Sequence, residues 1–274
     1  MSLLRPERIE FKSPAQIRRM RASGLVTAAA LAAVREAVVP GATGAAIDAL
    51  AEASIRAAGA EPNFLGYEGY PASLCFSVND VVVHGIPGPQ AIRPGDVVSI
   101  DCGAVLDGWH SDAAITVGAG ELDARSETLI EVTRQALWDG IAAFANATHV
   151  GAIGAAIEAR VRAAEPSFGI LREYVGHGIG SAMHMRPDVV NFAARERGPR
   201  VRPGMVLAIE PMVVERKIAT STDTDGWTVR TVDGGRAAHW EHTVARTEGG
   251  VWVLTEPDGG EAELAARGIQ IAPA

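Results

Sequence analysis

Cysteine is scarce: Cys75 and Cys102 are the only two in 274 residues. No C-x-x-C pair exists, which excludes a zinc knuckle or a redox dithiol. Basic charge is in deficit too, with 25 Lys and Arg against 33 Asp and Glu, a formal net charge of -8. A broad nucleic-acid surface needs clustered cations, so this balance argues against one. Long apolar runs are also missing. The richest stretch, "LVTAAALAAV" at 25–34, is half a membrane span. The start, "MSLLRPERIEFKSPAQ", has no apolar core of signal-peptide length. A cytoplasmic protein in a reducing compartment, without membrane contact, is expected. What remains, 47% hydrophobic and 21% charged, is ordinary for a soluble globular chain. The length leaves open one large domain or two fused halves.

The sequence repeats itself. "RPGDVVSID", Arg93 to Asp101, has a near copy in "RPGMVLAIE", Arg202 to Glu210, 109 positions later. "GATGAAIDALAEASIRAAGAEP" from Gly41 is echoed by "GAIGAAIEARVRAAEP" from Gly151, 110 positions on. Either echo alone could be convergence, because Ala-rich helices look alike and R-P-G is a common turn. Two echoes in one order at nearly one offset indicate an internal duplication.

The element signals agree. Ser13 caps a helix with Pro14 at its first position, stopped by Pro40-Gly41. Thr43 caps a second helix, closed by Gly59. Residues 62–118 are rich in Val, Ile and Ser and broken by Asn-Asp, Pro-Gly and Asp-Gly, which are strand and turn signals. Helical patterns return at 126–147 and 151–166, then strand patterns in "MVLAIEPMVV", "GWTVRT" and "HTVART". By the same logic "HGIPG" at His84 pairs with "HGIGS" at His177, 93 positions on, with 16 extra residues before the second R-P-G. Asp112 pairs with Glu241, the Gly/Asp/Thr-rich stretch 217–237 taking up the added length.

Four carboxylates, Asp101, Asp112, Glu210 and Glu241, lie in or at the edge of apolar, strand-like stretches. Burying an ionised carboxylate without a partner is very costly. Divalent cations would supply the missing positive charge. His177, flanked by glycines in "VGHGIG", is the natural imidazole ligand. Four carboxylates and one histidine exceed what one tetrahedral ion needs, so two bridged ions fit better. Such a centre can hold a hydroxide and polarise a carbonyl, which is hydrolase chemistry. Taken singly, each residue has a plainer reading. An Asp at a strand end is usually a turn or cap residue, His84 could be a turn histidine, and Glu241 an edge-strand charge.

The motifs "NDVVVHGIP", "SIDCG", "GWHSDAAITV", "EYVGHGIG", "AIEPM", "DGWTVRT" and "WEHTV" stand in this order, and with them the chain resembles the type I methionine aminopeptidases of the short bacterial kind. The resemblance covers roughly residues 12–255. It implies the pita-bread α/β (α+β) fold, with two pseudo-twofold halves, 13–122 and 123–255, around a central antiparallel sheet. A single catalytic domain would span 13–255, with an N-terminal extension over 1–12 and a C-terminal tail over 256–274. It implies two divalent ions, drawn from Co, Mn, Fe or Zn. Asp101 would bind one ion only, Asp112 and Glu241 would bridge, and His177 and Glu210 would hold the other. Glu210 would also take a proton from the bridging water. His84 and His184 would be hydrogen-bond partners of the substrate amine and the scissile amide. Tyr67, Tyr70, Cys75 and Trp227 match positions lining the methionine side-chain site, with Phe64 beside them, and an apolar aromatic pocket suits a thioether. Plain packing near a Gly-rich turn is the other reading of Tyr67 and Tyr70. The chain departs from the pattern at Met183, where many members have Phe, and at Arg186 in "HMRPD". Both flank the pocket and bear on the second-residue preference.

The implied activity is removal of the initiator methionine when the second residue is small, the metal-bridging hydroxide attacking the first peptide carbonyl. The implied partners are N-termini of nascent polypeptides near the ribosome, met by a monomer. Two alternatives stand against it. A proline-specific peptidase shares the fold but normally carries a large extra N-terminal domain, for which no room is seen before the first helix. A binding module without catalysis would be expected to lose ligands, and all five positions are intact.

Overall fold

A computed structural model describes residues 8–274. Residues 1–7 of the expected N-terminal extension lie outside the described residues. Helix α1 (Pro14–Ala37) begins with a capping box: Ser13 accepts from the Gln16 amide and the Gln16 side chain accepts from the Ser13 amide. Its buried residues, among them Ile17, Met20, Thr27, Leu31 and Val34, recur every three or four positions and cover one face. Thr43 caps helix α2 (Gly44–Ala57) through the Ala46 amide. Strands β1 (Glu61–Pro62), β2 (Leu74–Val78), β3 (Val81–Val83), β4 (Val97–Leu106) and β5 (Trp109–Gly118) follow. Asp107 and Gly108 both adopt positive φ, 50° and 76°, the geometry a two-residue hairpin between β4 and β5 requires.

The second half repeats this order. Helix α3 (Ala124–Asn146) is capped by Asp123, and helix α4 (Gly151–Arg162) follows. The strands are β6 (Gly169–Ile170), β7 (Gly176–Gly178), β8 (Met185–Val189), β9 (Val206–Ile209) and β10 (Met212–Val214). After them come β11 (Thr220–Thr222), β12 (Val229–Thr231), β13 (Ala237–His239), β14 (Glu241–Arg246) and β15 (Val251–Val253). The stretch 217–237 therefore carries a β11–β12 hairpin, which pairs onto β3. A five-residue helix, α5 (Glu261–Ala265), buries Leu264, and Glu263 pairs with Arg134 and Arg267. The segment expected as a C-terminal tail is thus packed against α3. No helix among the described residues is long and apolar enough to cross a membrane.

The main sheet runs β1-β4-β5-β14-β9-β7-β8, with β2 on β4 and β15 on β14. Every pairing in it is antiparallel. The halves meet at β5 and β14, so β4 and β9 occupy equivalent places on either side. This is the pita-bread arrangement. Strand alternation then sorts the side chains. Ile100 and Cys102 of β4 and Ile209 of β9 join Leu31, Val34 and Leu137 of the helices in one core. Ser111 of β5 hydrogen-bonds Ser23 and Thr27 of α1 at 2.9 and 2.8 Å, and His242 of β14 packs on Trp138 of α3. Asp101, Asp112, Glu210 and Glu241 are one residue out of phase with these, so all four turn to the other face.

The register corrects two expected pairings. His177 pairs with Ala208, two positions before Glu210, while the matching place before Asp101, Ser99, pairs with Ser77. The structural counterpart of His177 is therefore Ser77; His84 follows β3, which belongs to another sheet. Asp101 faces Ala114 and Ile209 faces His242, which sets Glu241 opposite Glu210 by continuation. Glu241 thus corresponds to Ala114, two residues from Asp112 on the same face. The insertion at 217–237 lies within the second half, between β10 and β13, and despite the offset both carboxylates stay on the inner face.

Candidate active site

A cavity of about 340 Å³ opens on this inner face. It is lined by Asp101, Asp112, His177, Glu210 and Glu241, by His84 and His184, and by Phe64, Tyr67, Tyr70, Cys75, Met183 and Trp227. The structure thus brings together all thirteen residues singled out in the sequence, and adds Glu68. Arg186 lies outside, half exposed and paired with Asp188.

Each inner side chain is held by its neighbours. Thr243 Oγ1 accepts from the Asp112 amide at 3.0 Å and donates to the Asp112 carbonyl at 2.8 Å, stitching β5 to β14. Glu210 stands at the elbow between β9 and β10, before Pro211, and Asn191 donates to its carbonyl at 3.0 Å. His177 sits in β7 between two glycines. A Cβ at Gly176 would meet the Ala208 carbonyl oxygen at 2.4 Å, so the strand lies as close as it does only without one. His84 leaves β3 with φ of 60°, a left-handed conformation rare outside glycine. Such strain persists only where surrounding structure enforces it, and it clusters at functional sites.

Asp112 and Glu241 are 3% and 2% exposed. Asp101 and Glu210 retain slightly more exposure because they line the cavity. No Lys or Arg among the described residues lines it. Burial pushes the Asp101 carboxyl up to about 7, against a hydrogen bond from Asp112 that lowers it. Asp112 is raised well above the carboxylate range by burial and then by Glu241 and Asp101. Burial and the other acids raise Glu210 and Glu241 in the same way. The imidazoles move oppositely. Burial takes His84 to about 4 and His177 to about 3, each helped by nearby His184. Neutral His177 places Nδ1 at 3.0 Å from the Gly178 carbonyl, so Nδ1–H donates there and Nε2 presents its lone pair to Glu210 at 3.5 Å.

The donor set fits divalent cations. Ligand atoms of Asp112, His177 and Glu241 lie within 4.8 Å of one another. Those of Glu210, His239 and Glu241 do likewise. Asp101 Oδ1, Asp112 Oδ1, Glu241 Oε1 and His239 Nε2 are buried with no hydrogen-bond partner. Buried polar atoms are almost always satisfied, and four convergent exceptions mark a place for cations. His239 was missed in the sequence. It ends the three-residue strand β13 in "AAH", outside both repeats and outside any recognisable motif.

A second cavity of about 350 Å³ lies beside Gly44, Phe76 and Arg230. Its chief cation is already matched, Arg230 pairing with Asp80 at 3.2 Å and Asp223 at 2.7 Å. No charge there calls for an ion.

The apolar wall is one cluster: Phe64, Tyr70, Ala72, Cys75 and Met183, with Tyr67, Ile86 and Trp227 packed on it. Tyr70 meets Trp227 edge-on at 5.1 Å, and its one hydroxyl proton is shared between the Gly85 carbonyl at 2.9 Å and the Leu74 carbonyl at 3.1 Å. That hydroxyl is thereby spent on backbone, leaving the ring as an apolar surface. The Tyr67 hydroxyl lies 2.9 Å from His184 Nδ1 and orients that ring.

The clustered acids imply a pH dependence. Asp101 holds its proton more tightly folded, at about 7, than unfolded, near 4, so its contribution to stability is present below about pH 4 and lost as pH rises through about 7. Asp112, Glu210 and Glu241 shift the same way. The depressed histidines act oppositely, but only below their unfolded pKa of about 6.5. Above that the acids act alone. The Tm of chelated protein is therefore expected to fall as pH rises from about 6.5 through about 7, with saturating Mn(II) reducing the fall. A chelated Tm that holds or rises across this range would contradict the assignment.

A duplicated sheet with an acid-rich, cation-demanding centre defines a metallopeptidase of the pita-bread class. Residues 18–248 match Metallopeptidase family M24, and the chain belongs to that family. Within it the chain falls among the methionine aminopeptidases. It is 53% identical to methionine aminopeptidase 1 of Mycobacterium tuberculosis over 249 residues, 89% of this chain and 94% of that one. The solved methionine aminopeptidase of Thermotoga maritima is similar at 40% identity and TM-score 0.88, over 91% of this chain and 100% of that one. A prolidase from Pyrococcus furiosus shares the fold alone, at 20% identity and TM-score 0.71, over 90% of this chain and 65% of that one.

Proposed function

We propose that this chain hydrolyses the first peptide bond of polypeptides that begin with methionine and carry a small second residue. The observation that carries the reading is the seating of a cation-demanding acid cluster at the edge of an apolar, sulfur- and ring-lined pocket. Phe64, Tyr67, Tyr70, Cys75, Met183 and Trp227 would hold the methionine side chain. Asp101, Asp112, His177, Glu210 and Glu241 would hold two divalent cations, with Asp112 and Glu241 shared between them. Co, Mn, Fe and Zn all suit such a donor set. These cations supply Lewis acidity and lower the pKa of water.

The remaining roles belong to side chains. Glu210, its carboxyl already raised by burial, takes the proton of the attacking water and passes it toward the leaving amine. Neutral His84 faces the pocket beside Trp227 at 6.4 Å between ring centroids, placed to hydrogen-bond the substrate's amino end. His184, with Nδ1 engaged by Tyr67, offers Nε2 to the scissile amide. The proposed setting is the cytoplasm, on nascent chains near the ribosome, as a monomer.

A proline-specific reading has one supporting observation, the fold shared with prolidase. A peptide panel separates the two. Metal-loaded protein should release methionine from Met-Ala peptides about 100-fold more efficiently than from Met-Leu peptides. It should leave Xaa-Pro peptides intact. Cleavage confined to the Xaa-Pro peptide would sink the proposal.

A further inference from the structure

His239 lies beside Glu210 and Glu241 without belonging to the five expected ligands. It is 2% exposed, and its Nε2 makes no hydrogen bond. That atom lies 3.7 Å from Glu210 Oε2 and 3.9 Å from Glu241 Oε2. Both separations are too long for a hydrogen bond. They suit two donors of one cation, since bonds of about 2.0–2.2 Å at tetrahedral to wider angles place ligand atoms roughly 3.3–4 Å apart. The backbone supports the placement. β13 is pinned at this residue, Thr116 Oγ1 accepting from the His239 amide at 2.9 Å and donating to its carbonyl at 2.7 Å. Trp240 then separates His239 from Glu241, so the two side chains converge from consecutive strands. On the far side of Glu210, His177 Nε2 approaches the other carboxylate oxygen, Oε1.

We propose that His239 is a second imidazole ligand of the metal centre, completing the shell of the cation held by Glu210 and Glu241. The inference rests on the metallopeptidase reading of this cavity and extends its ligand set from five side chains to six. A second neutral nitrogen donor makes this end of the centre less oxygen-rich. It therefore shifts preference away from Mn(II) toward Co(II), Fe(II) and Zn(II).

The test reads the metal, not turnover. Chelated protein titrated with Co(II) is followed by calorimetry and by proton NMR of the paramagnetic complex. Wild type should show two strongly shifted, exchangeable imidazole N–H signals, one from His177 and one from His239. His239→Gln and His239→Leu should each lose one signal and bind Co(II) about 10- to 100-fold more weakly, with a smaller loss for Mn(II). The Leu variant guards against a Gln carbonyl taking the ligand's place. Thermal unfolding of the chelated variants checks their fold, and the wild-type signal count decides even if both fail to fold. A single shifted N–H in wild type, or unchanged Co(II) affinity in folded variants, would overturn the assignment. Failure to cleave methionyl peptides with both signals present would reject the function and leave the ligand standing.

Discussion

Glu210→Gln should lower kcat for methionine release at least about 10³-fold, yet leave the cation-free protein as stable as wild type or more so. The loss has two sources. General-base catalysis is worth about 10² to 10⁴, and the amide also replaces an anionic cation ligand with a neutral one. The stability gain has one source. Burial raises the Glu210 carboxyl well above its usual range, so the charged form is costly without a cation, and an isosteric amide removes that cost. A purely structural acid would behave in the opposite way, losing stability when neutralised. Steady-state kinetics on a Met-Ala peptide and melting of the chelated protein read both halves. Activity within tenfold of wild type would refute the role.

Asp101→Ala should cost metal as well as turnover. Asp101 Oδ1 is buried without a hydrogen-bond partner, on the side of the cavity away from His177's strand. No other side chain of the five is expected to serve that cation alone. Elemental analysis should show occupancy falling from about two ions per chain to about one, and activity falling by at least about 10³. Retained occupancy and activity would remove Asp101 from the ligand set.

Much of this was legible because local chemistry and global fold agree. Ser13 and Pro14 announce α1, and R-P-G followed by alternating apolar residues announces β4 and β9. The acids at Asp101 and Glu210 stood out because they break an apolar run at equivalent places. The errors have a common cause. Register is a property of pairing, not of sequence spacing: the H-G-I motifs match His84 to His177, whereas β2 and β7 against β4 and β9 match Ser77 to His177. The two-residue offset between Asp112 and Glu241 was hidden for the same reason. His239 carried no signal because three-residue strands have no period to read, and α5 is too short to show helical spacing. The pocket residues 64–75 form a 3₁₀ turn and a strand edge, where packing and binding are written alike; only their convergence on one cavity separates them.

On the proposed function, the acids gathered at β4, β5, β9 and β14 would hold cations for the hydrolysis of a methionyl peptide bond. The most direct measurement follows chelated protein with a Met-Ala peptide in ¹⁸O-water as Mn(II) or Co(II) is added back. No methionine should appear before cation is added. Its release should then rise with cation, and the freed methionine carboxylate should carry one ¹⁸O from the attacking water. Methionine release that persists under chelation, or cation-loaded protein that frees none, would contradict the account.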